Sequence, residues 1–261
     1  MNVVVLVKQV PGTSAVGIDP ERGTLKREGV PAKTNPYDLH ALEAALTLKE
    51  HLGGRVTVVS MGPPQAESVI QEAYWMGADA GFLLTDRAFA GADTLATAFA
   101  LSQVLRTLEY DLIIAGMQST DGDTAQVGPG VAEFLGIPHV SYVSAFEEAS
   151  DRSITVTADL GDRLLTQSVS LPCLVTVTQA VNQPRLPSLR KKKEVGGRPV
   201  LLKKAIDLPP AERTYYGLAG SATRVEKIFP PKREETREVW DGEPRELALR
   251  LARLLEEAIG P

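Results

Sequence analysis

Apolar and polar positions follow two rhythms along the chain. From Asn2 to Lys8 the residues are almost continuously apolar (VVVLV at positions 3–7), the pattern of a strand buried on both faces. Val56–Ser60 and Asp111–Ala115 read the same way, and Gly81–Thr85 reads as a short strand. Between them apolar residues recur at helical spacing. Asn35-Pro36 opens the clearest helix, because Asn is a favoured N-cap and Pro suits the first helical position. Leu39, Leu42, Ala45, Leu46 and Leu48 form its apolar stripe, and Gly53-Gly54 stops it. Further helices are predicted over Ala66–Met76, over Thr94–Leu108 and from about Thr124 to Gly136. Gln9–Thr13 and Asp86–Asp93 read as loops, and the Asp-Pro and Arg-Gly punctuation in Ile18–Val30 as a surface hairpin. Strands and helices alternating over short connections predict right-handed βαβ units on a parallel sheet.

After Gly136 the pattern changes. Val140–Phe146, Ser153–Ala158, Arg163–Leu171 and Cys173–Gln179 read as short, turn-bounded strands, expected as antiparallel additions. Asn182–Val195 reads as a loop with Pro184, Pro187 and a basic run, Arg190–Lys193. Pro199–Pro231 is punctuated by proline and glycine with little period, as in a functional segment or one extended over another surface. Glu243–Ile259 is an amphipathic helix with Leu247, Leu251, Leu254, Leu255 and Ile259 on one side. The fold class is therefore α/β: a Rossmann-like parallel sheet with helices on both faces, added antiparallel strands and an extended C-terminal arm. The expected division is an α/β domain over 1–198 and an arm and helix over 199–261.

Gly116–Pro129, GMQSTDGDTAQVGP, joins a predicted strand to a predicted helix and is rich in small, hydroxylated and acidic residues. Such a loop lies at the carboxyl end of the sheet, where open α/β domains bind ligands. Its glycines let a ligand approach the backbone, and its amides with the following helix N-terminus favour phosphate. An ordinary polar βα loop fits the pattern equally well. Other chemistry is sparse. His40, His51 and His139 lack metal-ligand spacing, and Asp121, Asp123 and Asp159 have no evident catalytic partner. There is no Gly-x-Ser-x-Gly elbow, no Gly-x-x-x-x-Gly-Lys-Ser/Thr loop, and no Gly-x-Gly-x-x-Gly after the first strand. These residues suggest a nucleotide-binding α/β domain without catalytic machinery of its own.

Charge and composition narrow the partners. A formal net charge of −5 argues against general nucleic-acid binding, and no apolar run is long enough to span a bilayer. The start, MNVVVLVKQV, has no basic stretch ahead of its apolar run, so no secretory signal is expected. The single cysteine, Cys173, rules out an intramolecular disulfide and reads as a buried inert thiol, consistent with a cytoplasmic setting.

Eight blocks, in order, resemble the beta subunit of electron-transfer flavoproteins: VVVLVKQVP (Val3–Pro11), NPYDLHALEAAL (Asn35–Leu46), VVSMGPPQAE (Val58–Glu67), MGAD (Met76–Asp79), TDRAFAGADTLATA (Thr85–Ala98), the Gly116–Pro129 stretch, NQPRLPSL (Asn182–Leu189) and GSATRVEKIFPP (Gly220–Pro231). The resemblance implies a heterodimer with an alpha subunit that carries FAD and collects electrons from acyl-CoA or other flavin dehydrogenases. It also implies a second nucleotide in this chain: structural AMP in ordinary members, or FAD that takes hydride from NADH in electron-bifurcating members. DGDTAQVGP and DRAFAGADT look more like the bifurcating group, so the resemblance favours FAD, with AMP as the alternative. The family's nucleotide contacts carry over to Leu6, to Asn35, Pro36, Tyr37 and Asp38, to Met61, and to Gly116, Gln118, Ser119, Thr120, Asp121, Gly122, Asp123, Thr124, Ala125, Gln126 and Val127. Its dehydrogenase-docking leucine falls on Leu189, with Leu186 as the alternative and Arg190 beside it, and a gating role falls on Asp159. Residues 199–261 would then pack on the alpha subunit, leaving the isolated chain protease-sensitive after about Lys203.

Overall fold

The computed structural model describes residues 1–12, 32–209, 212–226 and 238–259, which belong to two compact units, Met1–Glu226 and Lys227–Pro261. The larger unit is organised on strand β1 (Asn2–Leu6), whose side chains alternate between two cores: Val3 and Val5 enter one, Val4 and Leu6 the other. The chain then forms β2 (Gln9–Pro11), paired antiparallel with β3 (Ala32–Thr34), so part of the expected loop at 9–13 is one side of a two-stranded ribbon. The hairpin expected over 18–30 lies outside the described residues.

Helix α1 (Pro36–Leu52) begins at the Asn-Pro signal and stops at Gly53. Then come β4 (Arg55–Met61), α2 (Glu67–Met76), β5 (Ala80–Leu84), α3 (Thr94–Leu105), β6 (Leu112–Gly116) and α4 (Val127–Leu135). Helices α1 and α2 cover one face of the sheet, and α3 and α4 the other. Fully burying a side chain such as Leu42 or Ile113 stabilises the fold by roughly 1.5–3 kcal/mol. Gly128 seats the start of α4 against the sheet, since a Cβ there would lie 2.4 Å from the Thr176 methyl.

The second half adds β7 (His139–Ala149), β8 (Ser153–Asp159), β9 (Leu164–Ser170), β10 (Cys173–Val177), α5 (Leu189–Val195), β11 (Leu201–Lys203) and the short α6 (Gly217–Gly220). Among the described residues the sheet has nine strands in the order β11-β5-β4-β1-β6-β10-β7-β8-β9. One of the four strands expected as antiparallel additions is not: β10 inserts between β6 and β7, parallel to both, whereas β7, β8 and β9 pair antiparallel with one another in sequence. Burial gives the reason: all five residues of β10 are buried, as in a strand covered on both faces, whereas β9 is mostly exposed.

The basic run expected in a loop is helical. Ser188 caps α5, its side chain accepting from the Lys191 N–H at 3.3 Å, and Lys192 Nζ lies 4.3 Å from the centre of the Trp75 ring. Farther on, β11 extends the sheet edge beside β5, and Ser221 and Thr223 hydrogen-bond Asp93. The described residues 201–226 are thus tied into the larger unit. In the second unit, α7 (Pro244–Ile259) forms where the amphipathic pattern predicts it.

Candidate functional site

From β1 the chain moves to β4 on one side and later returns to β6 on the other. That reversal falls at the carboxyl ends of β1 and β6, where an open α/β sheet usually binds its ligand in a crevice. Leu6 closes β1 opposite Val59 and Ala115, and Met61 closes β4 opposite Leu84. Asn35, Pro36, Tyr37 and Asp38 form the start of α1, and the 116–127 stretch connects β6 to α4. All four candidate segments therefore meet along one edge.

Asn35 is the joint between two of them. It occupies the N-cap position of α1, but its side chain makes no capping hydrogen bond. Only 1 % exposed, it donates through Nδ2 to the Gln118 carbonyl at 2.8 Å and accepts through Oδ1 from the Thr120 N–H at 3.2 Å. Asp38 is buried one turn later and accepts from the Lys8 N–H at 2.7 Å. Burial pushes its carboxyl up to about 7, against the opposing pull of Asn35 and of the Lys8 amide and ammonium. Gly116 allows this crowding, because a Cβ there would stand 2.3 Å from Asp38 Oδ1 and 2.7 Å from Tyr37 Cβ.

The loop holds its own shape. Asp123 N–H donates to the Ser119 carbonyl at 2.8 Å, and Gln118 Nε2 donates to Asp123 Oδ1 at 3.1 Å. Asp123 and Ala125 take left-handed backbone angles, φ 49° and 55°, which cost non-glycine residues conformational energy and cluster at ligand clamps. The loop then enters α4, whose N-cap residue Gln126 makes no side-chain cap; Gln126 Oε1 instead accepts from Thr94 Oγ1 at 2.8 Å. First-turn amides without intrahelical partners, with the helix dipole behind them, favour an anion.

Lys8 is a member of this edge that the sequence did not reveal. Its Nζ donates to Ser119 Oγ at 3.1 Å and to Asp121 Oδ1 at 2.6 Å. A lone lysine after an apolar run carries no signal beyond a strand end. Thr94 and Asp93 were also missed; Asp93 caps α3 through Ala96 N–H and accepts from Thr223.

The docking candidates stand elsewhere. Leu186 and Leu189 are 86 % and 78 % exposed, and Arg190 pairs with Glu194 along α5. Their segment is fastened to α1. His40 Nδ1 lies 3.0 Å from the Asn182 carbonyl, Asn182 Nδ2 donates to the His40 carbonyl at 3.0 Å, and Arg185 binds Glu43 and Glu50 at 2.8 and 2.5 Å. Asp159 accepts from the Gly161 N–H at 2.8 Å in the turn between β8 and β9. Cys173 is buried, and desolvation pushes its thiol up to about 11. Among the described residues no acidic, histidine or cysteine cluster is arranged to hold a metal ion, and no helix is long and apolar enough to cross a membrane.

Fold and edge define an open α/β domain with a candidate ligand crevice at the point where its strand order reverses. The sequence model described as "Electron transfer flavoprotein domain" matches residues 22–200. The chain is 46 % identical to the electron transfer flavoprotein subunit beta of Thermoanaerobacterium thermosaccharolyticum and 45 % identical to that of Clostridium acetobutylicum, in each case over 98 % of both chains. It is also 42 % identical to Protein FixA of Azotobacter vinelandii, over 95 % of this chain and 92 % of that one. The chain belongs to the electron transfer flavoprotein family and is of its beta-subunit type over nearly its whole length.

Proposed function

We propose that this chain pairs with an alpha subunit as a heterodimeric electron carrier and binds an adenine nucleotide, FAD or AMP, at the carboxyl edge of β1, β4 and β6. The observation that carries the reading is the buried Asn35 bridge. An asparagine at a helix start whose side chain reaches Gln118 and Thr120 makes that start and the 116–127 loop one cradle. Left-handed turns at Asp123 and Ala125 and the first amides of α4 suit a phosphate, so the residues present fit the nucleotide. Leu6, Tyr37 and Met61 would line its apolar side. Gln118, Ser119, Thr124 and Gln126 would orient it by hydrogen bonds. Small residues at Ala88, Ala90, Gly91 and Ala92, near the start of α3, favour a flavin over AMP. A bound flavin supplies one- and two-electron chemistry; the chain binds it, orients it and excludes water.

In this reading electrons pass from acyl-CoA or other flavin dehydrogenases to a downstream acceptor in the cytoplasm. With FAD in this chain, NADH drives bifurcation; with AMP, the nucleotide is structural. Leu189 docks the dehydrogenase, with Leu186 as the alternative anchor and Arg190 at the rim, an exposed apolar anchor beside charged residues. Residues 199–261 contribute an arm lying on the alpha subunit. The test is nucleotide content of the co-expressed pair, denatured and with its ligands separated. Two FAD per pair supports the bifurcating form, and one FAD with one AMP the ordinary form. A chain that forms no pair and carries no nucleotide would overturn the proposal in favour of a free-standing α/β module.

A further inference from the structure

The geometry points to Lys8 as the cation that meets the nucleotide phosphate, with Asp121 and Ser119 holding its ammonium in place; this rests on the adenine-nucleotide reading above. Lys8 is fixed just beyond the end of β1 through its main chain. Its N–H donates to Asp38 at 2.7 Å, and its carbonyl accepts from the Asn35 N–H at 2.9 Å. Only the four-carbon side chain is left to move. The ammonium lies over the loop, with Asp121 at 2.6 Å and Ser119 at 3.1 Å, and the lysine side chain is 45 % exposed, so a ligand in the crevice can reach it. An ammonium has three donors, so these two contacts leave one for a phosphate oxygen.

Charge balance favours such a group. Asp121 and Asp123 put two carboxylates at the cradle, and a nucleotide phosphate adds more negative charge. The α4 N-terminus supplies only about half an elementary charge in compensation. Lys8, already hydrogen-bonded to the loop, supplies a full one. AMP and the adenosine half of FAD both present a 5′-phosphate to it.

The experiment uses the full-length chain purified with any accompanying subunit and dialysed free of small ligands. AMP, FAD and adenosine are titrated separately by calorimetry at low and high ionic strength. Lys8→Met is expected to weaken AMP and FAD binding about tenfold or more, as expected for a lost charge-assisted hydrogen bond. Adenosine, which has no phosphate, should bind the variant and the parent equally. Lys8→Arg should retain most of the affinity, and added salt should weaken AMP more in the parent than in Lys8→Met. Whichever of AMP and FAD binds the parent more tightly identifies the source of the phosphate. Equal losses for AMP and adenosine would make Lys8 a shaping residue and overturn the assignment, as would undiminished AMP and FAD affinity. If the parent binds neither AMP nor FAD, the nucleotide reading falls and the Lys8 assignment with it.

Discussion

Replacing Asn35 with alanine removes a buried donor and acceptor together and strands the Gln118 carbonyl and Thr120 N–H. A lost buried hydrogen bond with an orphaned partner costs on the order of 1–3 kcal/mol. Asn35→Ala should therefore lower the urea midpoint and the nucleotide retained after gel filtration; parental values for both would remove Asn35 from the cradle. Its neighbour Asp38 makes a prediction in pH. Burial raises its carboxyl from 3.8 to about 7, so between those values the folded chain holds a proton that the unfolded chain has released. Stability from this group is present at the acid end and lost as pH rises through about 7. Glu43, Glu50, Asp86 and Asp93 are shifted down and act with the opposite sign, but they are shared by parent and variant. Asp38→Asn keeps an oxygen for the Lys8 N–H, so the variant should gain stability over the parent steadily from pH 4 to pH 7 in urea unfolding. Parallel curves would show that Asp38 ionises normally.

At the scale of elements, α1 links two places. Its first turn lies at the crevice, and its later turns hold the exposed leucine segment through His40, Glu43 and Glu50. Arg185 is the main fastening, and the largely buried Glu43 carboxylate is held below its usual range by that guanidinium despite desolvation. Arg185→Gln should expose the 186–193 backbone to trypsin and slow reduction by a dehydrogenase, while nucleotide content stays parental. Leu189→Ala should slow reduction without opening the backbone, which separates anchor from fastening; an unchanged reduction rate would move the anchor to Leu186. The repeating βα order and the 116–129 loop were legible because buried parallel strands and glycine-flanked helices leave strong periodic marks. The parallel insertion of β10 was not, since strand order depends on long-range pairing that a five-residue apolar run does not encode. Nor was α5, where Ser188 makes a helix from a basic run that also suits a loop. In the crevice, Asn35 was legible as a position but its partners were not, because it bonds residues 83 and 85 positions away. Lys8 lay within the Val3–Pro11 block but its role was hidden for the same reason, since it contacts loop residues 111 and 113 positions away.

At the scale of the molecule, the division between Met1–Glu226 and Lys227–Pro261 gives a cut that separates folding from assembly. The family resemblance implies protease sensitivity of the isolated chain after about Lys203. β11 pairs with β5, Leu218 N–H donates to the Ala90 carbonyl at 3.0 Å, and Thr223 N–H donates to Asp93 at 2.8 Å, which ties the described residues of 201–226 to the larger unit. A chain ending at Glu226 keeps all these contacts and both apolar cores, so its thermal midpoint should stay within a few degrees of the parent's. What it loses is α7, a 16-residue helix with Leu251, Leu254 and Leu255 exposed on one side. An apolar row of that length is costly to leave in water and suits a partner surface. If the arm lies on an alpha subunit, the shortened chain should fold, hold AMP as tightly as the parent, and fail to co-purify with that subunit. Retained pairing would place the interface on the sheet-bearing unit, and loss of the folded state would show that the two units stabilise each other.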